Sequence, residues 1–111
     1  MKADRPFLEH ILDSIAAIEE FVGSDPDVLL HSRMARDATI RNFEIIGEAA
    51  RKLSGEARDA SPDVPWTRIV AFRNRLAHGY WGVDLSIVAD VIAKDLPVLK
   101  MAVQVLLAKQ D

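Results

Sequence analysis

The sequence predicts an all-α protein: an up-and-down bundle of four main helices, with the last one kinked or split near Pro97. Three observations predict it. Apolar residues recur at three- and four-residue steps through four stretches, which is the spacing of one helical face. No stretch alternates with the period of two that marks a half-buried strand. Helix breakers, Gly23-Ser24-Asp25-Pro26 and the connection from Ser54 to Val64, fall between the periodic stretches.

The first helix is expected from about Pro6 to Val22, with Phe7, Leu8, Ile11, Leu12, Ile15, Ile18 and Val22 on its apolar face. The second is the long one, from about Arg33 to Leu53, with an earlier start near Asp27 left open. Its face reads Met34, Ala38, Phe43, Ile45, Ile46, Ala49, Ala50 and Leu53. It should span about 30 Å at ~1.5 Å per residue. Gly47 inside it costs up to ~1 kcal/mol against Ala, so a neighbouring helix is expected to pack closely there. A short helical turn is expected at Glu56–Asp59. Asp63 then looks like an N-cap with Pro65 in the first turn of the third helix, which runs to Ala77 or His78. Asp84 should cap the next helix, with Leu85, Val88, Val91 and Ile92 facing the core. Pro97 predicts a break or kink near Asp95-Leu96. Val98, Met101, Ala102, Val105 and Leu106 should then form the face of the last helical segment.

The chain has 111 residues, which predicts one domain over residues 1–111. Surface scaling buries roughly two-thirds of such a chain's unfolded surface. Half the residues are apolar, which argues against disorder. With no Cys, disulfides and thiolate metal sites are excluded. No apolar run suggests a signal peptide or approaches the ~20 residues of a membrane span. A soluble cytoplasmic protein is therefore expected. The net charge of −3 argues against a general nucleic-acid coat but leaves room for a small site where a few Arg residues meet one phosphate.

The densest chemistry lies in Arg73-Asn74-Arg75-Leu76-Ala77-His78-Gly79-Tyr80. Two guanidiniums, an imidazole and a phenol gather at the end of the apolar-periodic stretch Trp66–Phe72, where Gly79 marks a helix stop. Asn74 and His78 are four apart and share a face. Arg73 and His78 are five apart, about 140° round a regular helix. They converge only if the helix ends near His78, or if a second copy in a symmetric dimer supplies the partner. An imidazole, with an unperturbed pKa of ~6.5, exchanges protons near neutral pH. A guanidinium grips a phosphate by two parallel hydrogen bonds and stabilises transition-state charge. Together they suit metal-independent RNA cleavage by the ribose 2′-hydroxyl. No acidic cluster or His/Asp spacing suggests a metal site, and no cofactor is implied. Taken singly, each residue also has an ordinary structural reading. His78 can cap helix carbonyls, Arg73 and Arg75 can pair at the surface, and Tyr80 and Trp81 can pack in a core or interface.

Arg, four residues, His, one residue, Tyr resembles the signature of HEPN domains of the HepT-type toxin family. The surrounding stretches are similar too: Ile40-Arg41-Asn42-Phe43-Glu44-Ile45-Ile46-Gly47-Glu48-Ala49-Ala50, then Val64-Pro65-Trp66, then Trp81-Gly82-Val83-Asp84-Leu85. The resemblance covers nearly the whole chain. It implies an all-α homodimer with a composite site built by both copies of the motif. It implies a ribonuclease toxin paired with a minimal nucleotidyltransferase antitoxin that attaches AMP to the motif tyrosine. Carried onto this sequence, Arg73 and His78 are catalytic, Asn74 and Arg75 are supporting, and Tyr80 is the AMP acceptor. Two other readings stand beside this one. One is a non-catalytic helical subunit that docks a nucleotidyltransferase and helps bind nucleotide; the other is a plain structural four-helix dimer. The joint presence of Arg73, His78 and Tyr80 favours the toxin.

Overall fold

The computed structural model describes residues 2–78 and 84–109, and every regular element among them is helical. A 3-10 turn, Lys2–Asp4, leads into α1 (Arg5–Val22), followed by α2 (Val28–His31), α3 (Arg33–Lys52), α4 (Gly55–Asp59) and α5 (Trp66–Ala77). Then come α6 (Leu85–Asp90), a π-helical stretch (Val91–Asp95) and α7 (Leu96–Ala108). None of these helices is long and apolar enough to cross a membrane.

α1 forms as its periodicity requires. Leu8, Ile11, Ile15, Ile18 and Val22 are buried in one stripe against α3 and α7. It stops at Gly23, whose φ of 59° is a left-handed value that a side chain disfavours. At its start, Asp4 is buried and accepts from the backbone N and the hydroxyl of Ser54, at 2.8 and 2.6 Å. That contact ties the two ends of the α1–α3 pair together.

The long helix does not reach back to Asp27. The chain is extended at Ser32 (φ −118°, ψ 107°), and its hydroxyl accepts from Ala35 N at 3.1 Å to cap α3. The short α2 before it is held by buried Leu29 and by Arg36, which donates to the Leu29 carbonyl at 3.1 Å. Met34, expected inside, is 83% exposed. It precedes Phe43 by nine residues, which puts it about 180° round the helix. Gly47 meets its expectation: a Cβ there would collide with the Cβ of Arg73, so the bare backbone of α3 receives α5.

Asp63 does not cap α5. The helix begins at Trp66, with Pro65 at the cap position and no side-chain capping bond. Asp63 sits instead in a tight turn, where Val64 N donates to Ser61 O at 3.2 Å. The indole of buried Trp66 also donates to Ser61 O, at 3.2 Å, and anchors that turn. Phe43 of α3 and Phe72 of α5 meet edge to face, centroids 5.5 Å apart.

Asp84 caps α6 as expected, accepting from Ser86 N at 2.9 Å and Ser86 Oγ at 2.8 Å. Pro97 leaves its mark where it was expected, in the form of a widened helix. Proline lacks an N–H and its ring crowds the carbonyl four residues back. The turn before it relaxes to π spacing, with Leu96 N donating to Val91 O. In α7 the buried residues are Leu96, Leu99, Val103 and Leu106. Val98, Met101 and Val105, expected inside along with Leu106, are 44%, 68% and 49% exposed. α7 is apolar nearly all round, so periodicity alone cannot choose between two stripes. Packing on α1 chooses, reinforced by Lys100 Nζ to Glu19 Oε2 at 3.1 Å.

Candidate active site

α5 carries the motif on its last turn. Arg73 is half-buried, with its stem against Gly47. Its Nη2 pairs with Glu48 Oε2 at 3.2 Å, and its Nη1 donates to Asn74 Oδ1 at 2.9 Å. Its Nε is buried and unpartnered among the described residues.

Glu48 is the local counter-charge. Arg51 Nη2 donates to its Oε1 at 2.7 Å, and Lys52 Nζ stands 3.7 Å from the same oxygen. The hydrogen bond from Arg51 is the main reason the Glu48 carboxyl lies below its ordinary value. Partial desolvation opposes it, and the charges of Arg51, Arg73 and Lys52 add to it. Arg51 is raised in return.

His78 is the first residue past α5. Its N–H reaches Arg75 O at 3.3 Å and the carbonyl of Leu76, which closes the helix. Its ring Nδ1 lies 2.8 Å from the Asn74 carbonyl. A carbonyl only accepts, so Nδ1 carries the proton and a neutral ring keeps its lone pair on Nε2. The residue is exposed.

Asn74 therefore links the pair: its side chain braces Arg73 and its carbonyl orients His78. No hydrogen bond joins Arg73 to His78 directly among the described residues. Arg75 lies two residues on from Arg73, about 160° round the helix. It is exposed and borders a separate apolar cavity of about 380 Å³, lined by Phe43, Ile46, Ile69, Phe72, Val91 and Leu99 among others. Tyr80, the expected AMP acceptor, and its neighbours Gly79 and Trp81 lie outside the described residues. No three His, Asp or Glu side chains gather as metal donors among the described residues.

Sequence reasoning passed over Glu48 as a site residue. A signal was present: an acid three and four residues before Arg51 and Lys52 on one helix, next to the glycine that invites a close neighbour.

A family model described as "Ribonuclease HepT-like" matches residues 11–106. A Methanocaldococcus jannaschii protein named as a putative RNase is 36% identical over 102 residues, covering 91% of this chain and 94% of that one. A second, from Caldanaerobacter subterraneus subsp. tengcongensis and named likewise, is 37% identical and covers 99% of both chains. A Thermococcus cleftensis protein named "Probable ribonuclease HepT" is 32% identical, over 89% of this chain and 91% of its own. No solved structure matches. The chain, every regular element of whose described residues is helical and whose residues 11–106 the family model matches, belongs to the HepT-like ribonuclease family.

Proposed function

We propose that the chain is an endoribonuclease and the toxin of a toxin–antitoxin pair, cutting RNA without a divalent metal. His78 Nε2 takes the proton of a ribose 2′-hydroxyl, and the oxygen attacks the adjacent phosphorus. The O2′–P bond forms as the P–O5′ bond breaks. The imidazolium returns its proton to the departing 5′-oxygen, so the products are a 2′,3′-cyclic phosphate and a free 5′-hydroxyl. Arg73 holds the phosphate and bears the charge that builds on it. The observation that carries this reading is the run of contacts in a HepT-like chain from the Glu48–Arg73 ion pair, through the Arg73–Asn74 hydrogen bond, to the Asn74 carbonyl and His78.

In this reading the helices form an up-and-down four-helix bundle that pairs as a homodimer, with the ends of α5 at the two-fold axis. The support is the separation of about 140° between positions 73 and 78 on a regular helix, together with the lack of a hydrogen bond between the Arg73 and His78 side chains among the described residues. A second copy would bring its own His78 to the first copy's Arg73. The proposed partner is a minimal nucleotidyltransferase antitoxin, acting in the cytoplasm, that transfers AMP to Tyr80. The added phosphate would compete with RNA for the guanidiniums of Arg73 and Arg75.

RNA digestion in EDTA, with mass spectrometry of the product ends, tests the chemistry. Cyclic phosphate ends are expected, and none from Arg73→Ala or His78→Ala. Cleavage that requires Mg²⁺, or full activity in His78→Ala, contradicts the reading. Intact RNA together with stable binding of a nucleotidyltransferase would favour the docking-subunit function instead. A monomer by light scattering at micromolar concentration would sink the composite site.

A further inference from the structure

The motif lies on α5, but two consecutive residues of α3 set the position of its arginine. Gly47 offers bare backbone to the Cβ and Cγ of Arg73, so the stem of the side chain is seated against α3. Glu48 then takes Nη2 at 3.2 Å, while Asn74 takes Nη1 at 2.9 Å. A guanidinium has five N–H groups. One, on Nη1, is engaged by Asn74, Nη2 faces the Glu48 carboxylate as an ion pair, and the Nε N–H is buried. At least one N–H remains on each terminal nitrogen, the least a guanidinium needs to hold a phosphate by two bonds.

Glu48 is itself anchored. Its Oε1 is held by Arg51 at 2.7 Å, with Lys52 at 3.7 Å, so Oε2 is the oxygen presented to Arg73. On charge alone this carboxylate is unfavourable, because it cancels part of the field that attracts RNA. Its presence beside Arg73 calls for a role that outweighs the lost attraction, and geometry supplies one.

We propose that Glu48 is a positioning residue for RNA cleavage, fixing the Arg73 guanidinium in its phosphate-gripping orientation at the expense of phosphate affinity. The inference rests on the reading of Arg73 as catalytic. Its signature is a split between kcat and KM that a structural role would not produce.

The test is steady-state cleavage of a short RNA by the full chain, comparing Glu48→Gln and Glu48→Ala with an Arg73→Ala control. Misplacement by about 1 Å can cost on the order of a hundredfold in rate, so Glu48→Ala should lose roughly ten- to a hundredfold in kcat. Its KM should stay level or fall, because a negative charge has gone. Glu48→Gln keeps the shape and a neutral acceptor, so it should lose less kcat while melting and assembling as wild type does. A lower KM with unchanged kcat means that Glu48 only screens the site, and overturns the proposal. So does wild-type behaviour in both variants, or unfolding of both, which would make Glu48 structural. If Arg73→Ala is inactive while the Glu48 variants are fully active, Glu48 alone is refuted. A fully active Arg73→Ala removes the catalytic reading and this inference with it.

Discussion

Gly47→Ala is the sharpest test of how α3 holds the motif. The added methyl would collide with Arg73 Cβ and reach Arg73 Cγ at 2.6 Å, with the Arg73 Cα at 3.4 Å. Ordinary carbon contacts lie at ~3.5–4.0 Å, so α5 must withdraw from α3 by about 1 Å locally. The Cβ and Cα of Arg73 are not the free end of a flexible side chain, so the helix has to move. Overpacking of this kind costs about 1–3 kcal/mol. Replacing a helical Gly with Ala recovers up to ~1 kcal/mol. The net is a loss of up to about 2 kcal/mol, or a melting temperature lower by up to roughly 16 °C for a domain of about 100 residues. A shift of about 1 Å in Arg73 should also cut cleavage by up to a hundredfold. Circular dichroism melting and RNA cleavage at 25 °C read the two effects. Gly55→Ala is the matched control, since open space surrounds that position; it should lower neither. A Gly47→Ala protein as stable and active as wild type would falsify this account of the α3–α5 contact.

Three further outcomes follow from single contacts. Asn74→Ala removes the brace on Arg73 Nη1 but keeps the backbone carbonyl that orients His78. Cleavage should fall roughly tenfold, as for one lost hydrogen bond to a charged group, without loss of fold; an unchanged kcat would show that Glu48 suffices. Asp4→Ala leaves the N–H and hydroxyl of Ser54 without their acceptor at a site where Asp4 is only 3% exposed. A loss of about 1–3 kcal/mol in urea unfolding is expected, and an unshifted midpoint would count against it. Hydrogen bonds from the Ser86 hydroxyl and N–H hold the Asp84 carboxyl below its ordinary 3.8. A depressed folded value means that the stabilisation is present above 3.8 and lost as pH falls through the folded value. The wild type should therefore lose more melting temperature below about pH 4 than Asp84→Ala does, and parallel curves would contradict this.

The sequence made the helices legible because periodicity and caps agreed. α1 and α3 follow stripes in which apolar and charged residues alternate clearly, and Asp84 sits where a cap belongs. The failures occur where local signals are degenerate. Ser32 is both an acceptable helix residue and a good cap, and only the extended backbone there separates α2 from α3. Asp63 has the chemistry of a cap, yet Pro65 and the Trp66 indole start α5 later. In α7 two apolar stripes compete, and the one facing α1 wins. Such a choice belongs to the tertiary structure and leaves no trace in a single helix's periodicity.

The candidate site shows the same division. Spacing placed Asn74 and His78 on one face, and their contact at 2.8 Å follows from the four-residue step. The environment of Arg73 has no such local cause. Its partner Glu48 is 25 residues upstream, since 73 − 48 = 25, and reaches it only because α3 and α5 cross at Gly47. Gly47 was legible as a close approach, but not as the seat of a particular arginine. Once the crossing is known, both residues have one explanation. The glycine lets the helices approach closely enough for a short acidic side chain to reach the guanidinium, and the carboxylate holds that guanidinium after it arrives. A larger residue at position 47 would push Arg73 out of range of Glu48, so the two should fail together. Combining Gly47→Ala with Glu48→Ala should therefore cost far less than the product of the separate losses in kcat, because the second change removes a contact that the first has already broken. Losses that multiply in full would mean that Gly47 and Glu48 act on Arg73 independently.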